Sequence, residues 1–133
     1  MAINVAKEIK KLSLPDKSYV VFAGGVLSAH GIRETEDIDL FVLPEVYEKF
    51  KKEGWEVEIK NSGIRALKSG VFEIYNDIST KDYKTNFITA LKNSELINGI
   101  RYMSLPETIL YKKSLGRPKD FADIVLIENF LKK

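Results

Sequence analysis

Residues 22–43 read FAGGVLSAHGIRETEDIDLFVL, and the fold turns on how this stretch is read. An apolar run, Tyr19-Val20-Val21-Phe22, leads into Gly24-Gly25. After a short segment, Arg33, Thr35 and the acid–apolar–acid triplet Asp37-Ile38-Asp39 open a second apolar run. Eleven residues separate Gly25 from Asp37. The first run is too short, and too rich in β-branched and aromatic residues, for a helix, so Ser18 to Phe22 is expected as a buried strand. Gly24 to Gly31 is expected as a turn opening a short helix, VLSAH, with Gly31 in the position where a left-handed residue ends a helix. Asp37 to Leu43 alternates acid and apolar before becoming wholly apolar. That pattern fits a strand with one dry face and one face turned to something polar.

Working outward, Ile3 to Leu12 carries apolar residues near helical spacing with lysines between, and Ser13-Leu14-Pro15 ends it. Pro44-Glu45 suits the first turn of a helix running to about Glu53, with Gly54 as its stop. Residues 55–59 alternate cleanly, Asn61-Ser62-Gly63 reads as a turn, and Ile64 to Leu67 as a second strand. Ser69-Gly70 then turns the chain into Val71 to Ile78, completing a three-strand meander. Ser79 to Asn86 is polar enough for an exposed loop. Phe87 to Leu91 suits a short helix or bridge, Gly99 to Met103 a short strand, and Thr108 to Leu115 a helix broken by Gly116-Arg117-Pro118. A last helix is expected from about Lys119 to Leu131. The order predicts an α+β domain over residues 1–133, with a mixed or antiparallel sheet flanked by helices.

At 133 residues, with 44% apolar and 30% charged residues, the chain is sized for one domain with one layered core. No apolar run approaches the length of a membrane span, and the N-terminal residues lack the apolar block of a signal peptide, so a cytoplasmic location is expected. The sequence has no cysteine and a single histidine, His30, which excludes disulfides and thiolate or histidine-rich metal sites. A bound metal would then be held mainly by oxygen, which points to magnesium, manganese or calcium. A net charge of +2 permits a local basic patch but gives no argument for duplex DNA binding.

On a strand, Asp37 and Asp39 would share a face about 7 Å apart. Two neighbouring carboxylates repel, and water, a basic side chain or a divalent cation relieves them. They are therefore either a solvated strand face or a cation site. Gly24-Gly25 is either a tight strand-to-helix turn or a place where backbone N–H groups approach a phosphate. Trp55, with Tyr47 and Phe50, is most simply core, and His30 is expected to pack.

AGG, eleven further residues and DIDL together resemble the signature of the nucleotidyltransferase superfamily with the DNA polymerase β-like fold. GGVLSAHGIRETEDIDLFV and the later KKSLGRPKDFADI are similar to its small branch of minimal and AbiEii-like members. The resemblance implies Gly24 and Gly25 as a nucleotide-phosphate loop and Asp37 and Asp39 as ligands of Mg²⁺ or Mn²⁺. It implies a third acid on a later strand, with Glu73 favoured over Asp77. The family usually carries aspartate there. Lys112 and Arg117 are implied to approach a triphosphate, with Asp120 orienting Arg117 and Lys119 as a lesser candidate, while Arg33 and Thr35, just before the acids, are expected either to contact phosphate or to pin the loop. The activity implied is transfer of NMP from a nucleoside triphosphate to a hydroxyl of a protein, an RNA end or a small molecule, with release of pyrophosphate.

Two other readings compete. The atypical third acid and the small size fit a catalytically silent module of the same fold that acts through a protein partner, such as one half of a toxin–antitoxin pair. An RNA-binding module would have to use Lys81, Lys84, Lys92 and Arg101, which lack the interleaved aromatics that stack bases.

Overall fold

The computed structural model describes residues 3–60 and 63–133. The expected turn at Asn61-Ser62 lies outside them. Among the described residues the chain forms β1 (Tyr19–Phe22), β2 (Ile38–Val42), β3 (Glu56–Ile59), β4 (Arg65–Ser69), β5 (Phe72–Tyr75), β6 (Ser94–Ile97) and β7 (Ile100–Met103). The helices are α1 (Val5–Lys11), α2 (Gly24–Ala29), α3 (Pro44–Lys52), α4 (Phe87–Lys92), α5 (Leu105–Leu115) and α6 (Pro118–Leu131). The fold is α+β. The seven strands make one mixed sheet in the order β3-β4-β5-β2-β1-β7-β6. β1 runs antiparallel to β2 and parallel to β7, and β2 runs parallel to β5.

The four middle strands explain themselves. β1 is buried at every position and β2 at all but Asp39, as expected of strands covered on both faces. On one face, Phe22 meets Tyr75 and Tyr111 edge-on and Phe41 meets Phe87, which brings α4 and α5 over the sheet. On the other, Phe50, Trp55 and Phe72 stack in series, so Trp55 is core as expected. Gly25 lies directly against Val21. His30 packs edge-on against Phe130.

Several boundaries differ from the sequence reading, among them α2, which starts at Gly24 itself, and α5, which starts at Leu105 and not Thr108. β2 starts at Ile38, leaving Asp37 in a bend before the strand and exposed. β5 ends at Tyr75, so Asp77 is not on the strand; it is exposed and its Oδ1 accepts from the Ser79 N–H at 2.9 Å. β6 was not expected at all. It pairs with β7 across Asn98-Gly99, whose φ values of 52° and 78° suit a two-residue hairpin turn of the kind that matches strand twist. The Asn-Gly dipeptide was the available signal. No helix among the described residues is long and apolar enough to cross a membrane.

Candidate functional site

Register builds the site. Phe22 stands opposite Asp39, Asp39 opposite Glu73, and Glu73 opposite Lys68, so one lateral row runs across β1, β2, β5 and β4. Because β1 is antiparallel to β2, its C-terminal end, where the chain turns into Gly24-Gly25, lies beside Asp39. The turn itself is strained: Ala23 has φ 59° and ψ −132°, a region that L residues seldom enter.

Asp39 and Glu73 stand side by side on adjacent parallel strands, and their carboxyls act on each other. Burial pushes the Asp39 carboxyl well above its ordinary value, and the Glu73 hydrogen bond with the charges of Asp37 and Glu73 pushes it the same way. Burial also raises Glu73, but the hydrogen bonds from Asp39 and Lys60 outweigh it and leave Glu73 below its ordinary value. The Asp39 Oδ1 atom is buried and has no hydrogen-bond partner among the described residues. Tyr75 donates its hydroxyl to Glu73 Oε2 at 3.2 Å.

Sequence reasoning missed Lys60. Its Nζ lies 2.7 Å from Glu73 Oε1 and 3.0 Å from Glu58 Oε1. A lysine ending an alternating, charged strand looks like any solvated residue, and only the pairing of β3 with β4 and of β4 with β5 carries it to Glu73.

The predicted phosphate-binding cations form a second cluster. Arg33 holds Asp123 through two bonds, Nε–Oδ1 at 2.7 Å and Nη2–Oδ2 at 2.8 Å. Lys112 Nζ reaches Asp123 Oδ2 at 2.9 Å and Asp120 Oδ1 at 3.4 Å. Arg117 Nε and Nη2 close on Asp120 at 2.6 and 3.1 Å, so Asp120 does orient Arg117. Lys112 and Asp120 are almost fully buried, whereas the Arg117 side chain remains 49% exposed. Hydrogen bonding to Asp120 holds the Arg117 pKa above its ordinary value. Lys119 is exposed. Asp123 was not anticipated. In the sequence it is one acid on a helix, and its partner Arg33 lies ninety positions away.

Gly24 and Gly25 have a packing reason to be glycine. A Cβ on Gly24 would stand 2.7 Å from Thr35 Oγ1, and one on Gly25 would stand 2.6 Å from Val21 Cγ1. Thr35 in turn donates to the Asp37 carbonyl at 2.9 Å and so pins the bend that carries Asp37.

The donor set at the row is all oxygen, which suits a hard cation, and the unpartnered Asp39 Oδ1 is an acceptor in need of one. Among the described residues, however, no group of three or more His, Cys, Asp or Glu side chains stands ready-made around a cation. Asp39 and Glu73 stand side by side, and Asp37 lies outside at the surface. The chemistry of the donors fits a metal, and these side chains would have to part to hold it. No family model, no curated protein and no solved structure matches this chain.

Proposed function

We propose that this chain is a metal-dependent nucleotidyltransferase with a polymerase β-like arrangement, transferring NMP from a nucleoside triphosphate to an acceptor hydroxyl. One observation carries the reading: Asp39 and Glu73 sit in register on adjacent parallel strands, next to the strand-to-helix turn at Gly24-Gly25, with a buried Asp39 oxygen left unpartnered. A buried carboxylate oxygen without a partner is a demand that a bound cation would meet.

In this reading Asp37, Asp39 and Glu73 hold Mg²⁺ or Mn²⁺, which when bound supplies charge neutralisation at the phosphates and a more acidic acceptor hydroxyl. Glu73 receives the acceptor's proton at a carboxylate oxygen as the acceptor oxygen bonds to the α-phosphorus. The bond from that phosphorus to pyrophosphate breaks, and the electron pair leaves with pyrophosphate. Arg117, half-exposed and already oriented by Asp120, is the cation best free to meet the departing anion. Arg33 and Lys112 act one step behind it: they hold Asp123 and Asp120, and through them the frame of α5 and α6. Thr35 fixes the Asp37 bend, and the Gly24-Gly25 backbone is the segment that would approach phosphate.

The test is label transfer from α-phosphate-labelled NTPs, with calorimetry on all four NTPs in Mg²⁺ or Mn²⁺. Binding is expected in the parent, and loss of transfer by at least about 100-fold in Asp39→Asn. If no NTP binds and Asp37→Ala/Asp39→Ala behaves like the parent, the catalytic reading is lost.

A second reading is favoured by one specific observation, the Lys60 ion pair that already neutralises Glu73. It makes the chain a catalytically silent module of the same architecture that acts through a protein partner. An intact Lys60–Glu73 pair in the presence of saturating NTP and Mn²⁺ would support it.

A further inference from the structure

Lys60 has no part in the reaction proposed above, yet it is placed with care. Its side chain is 27% exposed, between a nearly buried Glu73 at 11% and an open Glu58 at 42%. Lys68 makes an instructive contrast. Its backbone stands directly opposite Glu73, but its ammonium turns away to Glu58 at 4.0 Å and is 52% exposed. Of two lysines near the row, the one farther along the strands is the one that reaches into it.

We infer that Lys60 is a tethered counter-cation that competes with a divalent metal ion for Glu73 and so gates occupation of the acid row. The inference rests on the metal-site reading above. An ammonium and a divalent cation cannot both stay in contact with the same carboxylate oxygens without strong mutual repulsion. Lys60 can yield, because Glu58 already holds it from the solvent side and remains its partner after Glu73 is released. The buried, unpartnered Asp39 Oδ1 is the independent sign that a cation belongs here, since Lys60 satisfies Glu73 but leaves that atom bare. The fold thus carries its own low-affinity stand-in for the metal and gives it a second anchor.

The probe is Mn²⁺ alone, titrated into the full chain and followed by the paramagnetic resonance of the free ion. Lys60→Met is expected to tighten Mn²⁺ binding by about tenfold or more, because a contact competitor is removed. Lys68→Met, which removes the same charge from the same face, is expected to tighten it by less than about threefold, as a screened charge would. Adding Asp39→Asn to Lys60→Met should abolish the gain. Lys60→Gln, which keeps an N–H for Glu73, carries the same expectation and guards against a misfolded methionine variant. Equal tightening by Lys60→Met and Lys68→Met would overturn the inference, since any lost positive charge would then suffice. Mn²⁺ binding by the parent with no tightening in folded Lys60 variants would also overturn it, while leaving the metal site standing. If neither parent nor Lys60 variants bind Mn²⁺, with or without ATP, the metal site itself fails and the gating with it.

Discussion

Two charged clusters meet near the turn after β1, and they are balanced in opposite ways. In the ladder Arg33–Asp123–Lys112–Asp120–Arg117, three cations surround two acids, and all four carboxylate oxygens accept from a partner. In the row, two neighbouring carboxyls face one ammonium and one hydroxyl, both of which serve Glu73, and among the described residues Asp39 Oδ1 accepts from nothing. A fully satisfied network fixes geometry, and each member is costly to remove. An under-satisfied one stores an unmet demand that a ligand can fill. The ladder reads as framework and the row as the place where something binds.

If that contrast is right, the two clusters respond differently to losing one carboxylate. Asp123→Ala takes the carboxylate from Arg33 and leaves Lys112, whose side chain is only 5% exposed, with Asp120 at 3.4 Å alone, and is expected to destabilise the fold by about 3–5 kcal/mol in urea unfolding. Asp39→Asn should change stability by less than about 1 kcal/mol, because the amide removes the repulsion between two neighbouring carboxyls and its Nδ2 can donate to Glu73. Equal losses in the two variants would erase the distinction.

The next effect down concerns the joint between the clusters. Gly25→Ala drives a methyl into Val21, a stiff β-branched residue with no exposure, and Gly24→Ala drives one into Thr35. Each is expected to cost about 1–3 kcal/mol through overpacking. Gly24→Ala/Thr35→Ala should recover most of that stability, because the clashing oxygen is gone. It should not recover nucleotide binding, because the hydrogen bond that pins the Asp37 bend is gone too. Recovery of both would mean that the Thr35 pin has no bearing on the site.

The contrast also marks where sequence reading succeeds. Val20, Val21, Leu40 and Val42 announce buried strands, and Pro44 and Gly31 announce helix ends, because each of these preferences is local. The convergence of Gly24 with Asp39 was legible because a short helix joins adjacent strands. The contacts that were not legible are set by strand register or helix docking: Lys60 to Glu73, Arg33 to Asp123, Lys112 to two acids on the next helix. Charge in a sequence does not say whether it is already paired. Arg33 and Lys112 looked available for phosphate and are engaged by Asp123, while Arg117 keeps an open side. The missed hairpin of β6 and β7 is a different failure, since the Asn98-Gly99 signal was present.

The smallest expected effect is a change of slope with pH. Burial raises both ladder acids, but Arg117 and Lys112 for Asp120, and Arg33 and Lys112 for Asp123, outweigh it and leave each carboxyl below its ordinary value of 3.8. A carboxyl whose folded pKa is depressed stabilises the fold fully above its unfolded value and loses that contribution as pH falls through the folded one. The ladder's contribution should therefore be flat from neutrality down to about pH 4 and decline below it. Asp123→Asn carries no titrating group at that position, so its urea midpoint should start lower at pH 7 and converge on the parent's as the pH falls below about 4. Parallel curves for the two proteins down to pH 2.5 would mean that Asp123 is not held ionised by Arg33 and Lys112, and the ladder would no longer be the satisfied half of the pair.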